Sequence, residues 1–442
     1  MKLKVTSLSL YSKIGRSIIK NEMPILIFIF FMVLPYRNLI WYPLFIMSIR
    51  GMLFVVSDLK SGVIPIGIKN IFYISLLIWV PALLSIFDSY SFERTLKYVL
   101  TLPLFSFVSV YIFYRSQDQV QVHRVLYGLL VTVAFWFITV LWQLFDPDNP
   151  FSPAGSHNQG IFMRTAGGSL MLGVILGSML PLISSYFISK GRYWVAGFTV
   201  IVMGVFLYYT GTRSGWLSGA FSVAVILILL SIKIKWGVMK TLTSGIIILA
   251  LGAIIFISVG QLVPGTATRV TKTLEFFKAP SFETFEAASS GRGLIWRDAI
   301  EMGRSNMLNG VGADAFRVAH PNYVHDGSEY WLYEWPQKDG STLLIGASHP
   351  HQILLDSFAS SGILGLLGLI GVYAIVFQKT VSLFRLGNWL GLGFALAFWS
   401  GFLPFNTHNN FYGGWMTAWL FFWIGFIFSF YNRKLTSKIS PA

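Results

Sequence analysis

Residues 353–378 read ILLDSFASSGILGLLGLIGVYAIVFQ, with Asp356 the only charged side chain among them. A helix needs about 20 apolar residues to cross a bilayer, so this run alone marks a membrane span. Similar runs recur on both sides of it. We read twelve: 22–36, 38–57, 70–87, 96–114, 125–145, 167–188, 193–209, 214–232, 241–260, 353–378, 386–404 and 411–431. Arg50 interrupts the second. Of the 442 residues, 55% are apolar and 12% charged, against about 25% charged in an ordinary soluble domain. The expected fold class is an all-α polytopic membrane protein of about twelve transmembrane helices.

Loop charges orient such a protein, because cytoplasmic loops keep an excess of Lys and Arg. With the N-terminus in the cytoplasm, the cytoplasmic segments hold Lys2, Lys4, Lys13, Arg16, Lys20, Lys60, Lys69, Arg115, Arg124, Lys190, Arg192, Lys233, Lys235 and Lys240. Lys379, Arg385, Arg433, Lys434 and Lys438 join them near the C-terminus. The short outer loops hold few basic residues: Arg37, Arg94, Lys97, Arg164 and Arg213. Three parts follow. Residues 1–260 carry spans one to nine behind a cytoplasmic N-terminus. Residues 261–350 form one large outer loop. Residues 351–442 carry spans ten to twelve and a cytoplasmic C-terminus.

The net charge of +15 sits mostly in short loops between spans, which argues against nucleic acid as a partner and for membrane lipids. Cysteine is absent from the sequence, which excludes thiol catalysis, thiolate metal sites and disulfides. Residues 1–20 are basic but lack the apolar core and cleavage site of a signal peptide. They read as a cytoplasmic tail.

The outer loop holds ten of the eighteen acidic residues, and His320, His325 and His349 lie within it. Arg292 to Ser305 reads as an amphipathic helix, with Ile295, Ala299 and Met302 on one face and Arg297, Asp298 and Glu301 elsewhere. Leu308-Asn309-Gly310-Val311-Gly312 reads as a helix stop and turn. Pro321, Asn322 and Asp326-Gly327-Ser328 read as loop. So long a segment with helices of its own reads as a functional cap.

Four groups fall on the outer face of this topology. They are Arg164, Arg213 in Gly211-Thr212-Arg213-Ser214-Gly215-Trp216, Arg292 in Ser290-Gly291-Arg292-Gly293, and His351 in His349-Pro350-His351. Guanidinium grips phosphate oxygens in a bidentate fork and keeps its charge. Arg213 and Arg292 stand in glycine-containing turns leading into helices, where free backbone amides also contact phosphate. Imidazole titrates near neutral pH and accepts a proton from a hydroxyl. At a predicted helix start the dipole keeps His351 neutral and competent as a base. Plainer readings stand beside these. An interfacial arginine is usually a snorkelling anchor. His351 is also placed to cap a helix, and Gly362 and Gly365 to serve only in helix packing. His320, His325 and His349 read as loop polar groups. Asp146-Pro147-Asp148 offers two carboxylates to a divalent ion but also reads as a turn. There is no His-Glu-x-x-His helix and no glycine loop with lysine, which disfavours zinc proteases and nucleotide hydrolases.

The pattern His351-Gln352, nine residues, Gly362, two residues, Gly365 resembles the signature of bacterial O-antigen ligases. These membrane glycosyltransferases share a superfamily with O-antigen polymerases and protein O-oligosaccharyltransferases. Gln352 stands where Asn is commoner. The turns at Arg213 and Arg292 resemble motifs of the whole superfamily. The resemblance implies a GT-C-like membrane fold with a large periplasmic loop containing short helices. It implies transfer of a polysaccharide from an undecaprenyl diphosphate-linked O-antigen donor to a lipid A-core acceptor at the periplasmic face of the bacterial inner membrane, without metal, nucleotide or other cofactor. His351 would be the general base. Arg213 and Arg292 would hold the diphosphate and stabilise its leaving charge, with help from Arg164. A polymerase or protein O-oligosaccharyltransferase would use the same type of donor. A transporter or flippase also fits twelve spans, but transport sites lie near mid-membrane and these ionisable groups gather at the outer face.

Overall fold

The computed structural model of the chain describes residues 21–34, 39–145, 169–209, 212–247, 250, 266–337, 339–405 and 410–439. The first helices are α1 (Glu22–Val33), α2 (Trp41–Ser61), α3 (Ile66–Leu84), α4 (Phe92–Arg115), α5 (Gln119–Phe145), α6 (Ser169–Ser189), α7 (Tyr193–Tyr209), α8 (Arg213–Lys233) and α9 (Val238–Ile247). Next come α10 (Thr266–Lys278), α11 (Phe282–Ser289), α12 (Arg292–Ser305), α13 (Phe316–Ala319) and the strands β1 (Tyr333–Pro336) and β2 (Thr342–Ile345). The chain closes with α14 (Ile353–Arg385), α15 (Trp389–Gly401) and α16 (Gly414–Ile439).

Among the described residues eight helices are long and apolar enough to cross a membrane: α2 to α6, α8, α14 and α16. The apolar helices α1, α7, α9 and α15 are shorter. The protein is therefore an all-α polytopic membrane protein. Burial ranks its helices. Of the most apolar window, 89% is buried in α6 and 83% in α16, against 28% in α2 and 33% in α8. The first two form the centre of the bundle and the second two its rim. Packed aromatics fill the centre, including Trp136, Trp419, Trp423, Phe30, Phe31 and Phe394, all fully buried. At the rim Phe45, Ile46, Ile49 and Leu53 of α2 stay exposed, as a lipid-facing surface requires. Arg50, the break in the second apolar run, has its charge answered by Glu22 of α1, with Nε 2.8 Å from Oε1.

The segment between α9 and α14 departs from the sequence reading in one element. Tyr333–Pro336 and Thr342–Ile345 pair antiparallel, Tyr333 with Ile345 and Trp335 with Leu343. The reading expected only short helices there. Tyr, Trp, Thr, Leu and Ile suit a strand, but four residues alternate too briefly to show a period. The predicted helix over Arg292–Ser305 is present as α12, with Ile295, Ala299 and Met302 buried. The predicted turn after it is present too, with Gly310 at φ 69° and Gly312 at φ 106°.

Candidate active site

His351 does not begin α14. The helix starts two residues later, at Ile353, with Gln352 as its N-cap. The Gln352 Oε1 accepts from the Leu355 N–H at 2.6 Å, and its Nε2 donates to Pro404 O at 2.7 Å. Capping thus falls to Gln352, which corrects the reading of His351 as a cap or a helix start. His351 sits at φ 56°, in the left-handed region. That conformation costs a non-glycine residue about 1 kcal/mol and persists only where the surroundings enforce it. They do so from both sides. The Trp296 indole N–H of α12 donates to Pro350 O at 2.9 Å, and the Gln352 side chain holds the other flank. The His349 ring lies 4.0 Å from the His351 ring, centroid to centroid, with its own Nδ1 2.7 Å from Ser348 Oγ.

Nine residues after Gln352, α14 breaks. Ser361 (φ −133°, ψ 17°) and Gly362 (φ 65°, ψ −161°) leave the helical region, and the helix resumes beyond them. The turn after α12 fills the gap with backbone hydrogen bonds. Val311 N–H donates to Ala359 O at 2.9 Å, Gly312 N–H to Ser360 O at 3.0 Å, and Ile363 N–H to Met307 O at 2.8 Å. A Cβ on Gly362 would lie 2.2 Å from Leu308 O. Glycine is required here for conformation and close approach together, which is more than the helix-packing role the sequence suggested. The intervening nine residues make a rod of about 13 Å between His351 and the break.

A polar cluster anchors that rod. Asp356, 2% exposed, accepts from the Phe411 N–H at 2.7 Å and from Ser360 Oγ at 3.3 Å. Nearby Asp314, at φ 61°, accepts from Asn410 Nδ2 at 2.8 Å, and its carbonyl accepts from Arg94 Nε at 3.0 Å. Burial pushes the Asp314 carboxyl above the usual carboxylate range, although Arg94 and Asn410 pull it down. The start of α4, the 311–314 turn, the first part of α14 and residues 410–412 are thereby tied together. Sequence reading missed these residues. The one available signal was Asp356, a lone acid in an apolar span.

Arg292 is the first residue of α12, after Ser290 at φ 62° and Gly291 at φ 81°. It is half-buried. Trp296, one turn on, touches Pro350, and residues i and i+4 share a helix face, so Arg292 stands on the face of α12 turned toward the His351 loop. The amides at this helix start are not all open to an anion. Ser289 Oγ accepts from the Arg292 N–H at 3.2 Å, and Glu286 Oε2 from the Leu294 N–H at 3.3 Å. Of the backbone amides expected to meet an anion here, that of Arg292 is engaged by a hydroxyl and that of Leu294 by a carboxylate.

The same helix corrects the reading of Asp298. It is fully buried, with His325 Nδ1 at 2.8 Å and the fully buried His320 Nε2 at 3.2 Å from its carboxylate oxygens. The spacing Ile295, Asp298, Ala299, Met302 places it on the buried stripe, a signal legible in the sequence. Burial works against its charge, but the neighbouring polar groups of His320, His325 and Ser328 outweigh that and hold the carboxyl below its usual range. A depressed carboxyl pKa stabilises the fold in full above the unfolded value of about 3.9 and loses that contribution as pH falls through the lower folded value. Asp298→Asn is therefore expected to speed hydrogen exchange over 292–328 at pH 7. The difference from the unaltered protein should shrink below about pH 4. An equal difference at both pH values would contradict this assignment.

Arg213 is the first residue of α8. The Thr212 side chain ahead of it does not cap the helix but packs against Gly173 of α6 and Gly215. Further along α8, Ser218 Oγ donates to Ser400 O of α15 at 2.9 Å, and Ser400 Oγ to Gly177 O of α6 at 2.6 Å. Pro404, four residues past Ser400, receives the Gln352 bond. Ser218, five residues past Arg213, is thus linked through the end of α15 to the residue beside His351. Arg164, Asp146 and Asp148 lie outside the described residues.

The family model described as O-Antigen ligase matches residues 198–370. That stretch contains Arg213, Arg292, His351 and Gly362, but not Arg94 or Asn410. No curated protein matches the chain.

Proposed function

We propose that this chain, which belongs to the O-antigen ligase/polymerase superfamily, is an O-antigen ligase. It transfers O-antigen polysaccharide from undecaprenyl diphosphate to a hydroxyl of lipid A-core at the periplasmic face of the inner membrane, without metal. About twelve spans in a GT-C-like arrangement, cytoplasmic termini and residues 261–350 as a periplasmic cap are parts of the same proposal.

The conformation of His351 carries this reading. A residue kept in a left-handed conformation, pinned on both flanks and relieved of capping by Gln352, has a use outside the helix. In the reaction His351 takes the proton of the acceptor hydroxyl as its oxygen attacks the anomeric carbon. The bond from that carbon to the diphosphate breaks, and the diphosphate leaves with the electron pair. Arg213 and Arg292 hold it and stabilise its charge, with Arg164 assisting. Attack opposite the leaving group inverts the anomeric carbon.

A polymerase or protein O-oligosaccharyltransferase would differ in its acceptor. Purified protein is given one undecaprenyl diphosphate-linked donor with lipid A-core, glycan repeat units or acceptor protein in parallel. We expect product on lipid A-core alone and an unchanged yield in EDTA. Product on repeat units would reassign the chain as a polymerase. Arrest by EDTA would bring Asp146 and Asp148 forward as metal ligands. Product formed in detergent, with no second compartment, also sets aside a transporter or flippase.

A further inference from the structure

Between the Arg292 turn and His351 the chain displays aromatic rings to solvent. Tyr330 is 59% exposed, Tyr333 42% and Trp335 51%. Tyr333 and Trp335 project from one face of β1, with ring centroids 6.3 Å apart. The hairpin connects the two parts of the candidate site. At one end the Tyr330 hydroxyl donates to Gly291 O at 3.1 Å, on the residue before Arg292. At the other, β2 ends at Ile345 and leads through Gly346 to His349 directly to His351.

We propose that Tyr330, Tyr333 and Trp335 form a carbohydrate-binding platform, taking sugars of a glycan substrate beyond the one at the reacting bond. The proposal rests on the glycan-transfer reading above. A pyranose presents an apolar C–H face and a rim of hydroxyls. An aromatic ring buries the first, and a Tyr hydroxyl or Trp N–H meets the second. Glu334, between Tyr333 and Trp335, is exposed on the opposite face of β1, and Asp339 at the hairpin end accepts from Ser341 Oγ at 2.6 Å. Carboxylates on the far face and at the tip keep the hairpin in water, where a hydrated glycan rather than lipid meets the rings, because burying a carboxylate in hydrocarbon is costly.

The test uses the full-length protein in nanodiscs. The probe is lipid-free O-polysaccharide released by mild acid from lipopolysaccharide, so binding is read without any transfer. Calorimetry is expected to detect binding that weakens about tenfold in Trp335→Ala and in Tyr333→Ala, a loss of about 1.4 kcal/mol. Phe277→Ala, at an exposed ring elsewhere on the same segment, should leave it unchanged. Equal affinity in all variants, or no binding, overturns the platform even if transfer to lipid A-core is intact. Binding as expected without transfer to any acceptor would instead fault the proposed activity. In a second arm, nanodiscs contain brominated lipids. Quenching that is lost in Trp335→Phe would place the hairpin in the membrane and also overturn the proposal.

Discussion

Gly362→Ala is expected to destabilise the protein by about 3 kcal/mol or more, combining strain at a glycine-only backbone conformation with overpacking. The φ of 65° and ψ of −161° lie where an L side chain meets its own backbone. The new methyl would also strike the Leu308 carbonyl, which belongs to the turn that fills the break in α14. Relief would require withdrawing that turn and its bonds to Ala359, Ser360 and Ile363. Gly371→Ala, in the same helix, is the control. Its methyl meets only the end of the Leu77 side chain, at 3.1 Å, and a small rotamer shift accommodates it. Thermal unfolding of the two purified variants in detergent checks the contrast. Equal melting temperatures would mean that the helix break does not depend on glycine.

His351→Gly is expected to lose transfer while gaining stability. A general base contributes about 10²- to 10⁴-fold in rate, so kcat should fall by that amount. Glycine adopts a left-handed conformation without penalty, so removing the side chain should stabilise the fold by about 1 kcal/mol. Gln352 continues to cap α14 in this variant. Opposite signs for activity and stability separate a functional histidine from a structural one, since loss of a merely structural residue lowers both. Retained transfer would remove His351 from the mechanism.

Much of this architecture was legible in the sequence because membrane spans announce themselves by length and hydropathy. The loop helix Arg292–Ser305 was legible because its buried residues recur at helical spacing. The β-hairpin was not, since four residues per strand give no period and most of its side chains stay exposed. The spacing from His351 to Gly362 was visible, but its physical content was not. The break at Gly362 exists because a turn some fifty residues earlier supplies the missing backbone partners, and no local pattern encodes that pairing. Asp314, Asn410 and Arg94 were invisible for the same reason: each is ordinary in its own segment and acquires meaning only across the fold. The amides at the start of α12 show the reverse, a local feature that read as an anion site until Glu286 and Ser289 were found on them.

In the proposed reaction labour is divided, with His351 acting on the acceptor and the arginines on the donor diphosphate. This division is tested most directly by measuring donor binding and transfer together. Arg213→Ala, Arg292→Ala and His351→Ala are compared, each purified and mixed with an undecaprenyl diphosphate-linked glycan. All three should lose transfer. The two arginine variants should also bind the donor about tenfold or more weakly, since a charged hydrogen bond to phosphate is worth about 1.5–3 kcal/mol, whereas His351→Ala should bind it with unchanged affinity. Weakened donor binding in His351→Ala, with normal binding in both arginine variants, would contradict the account.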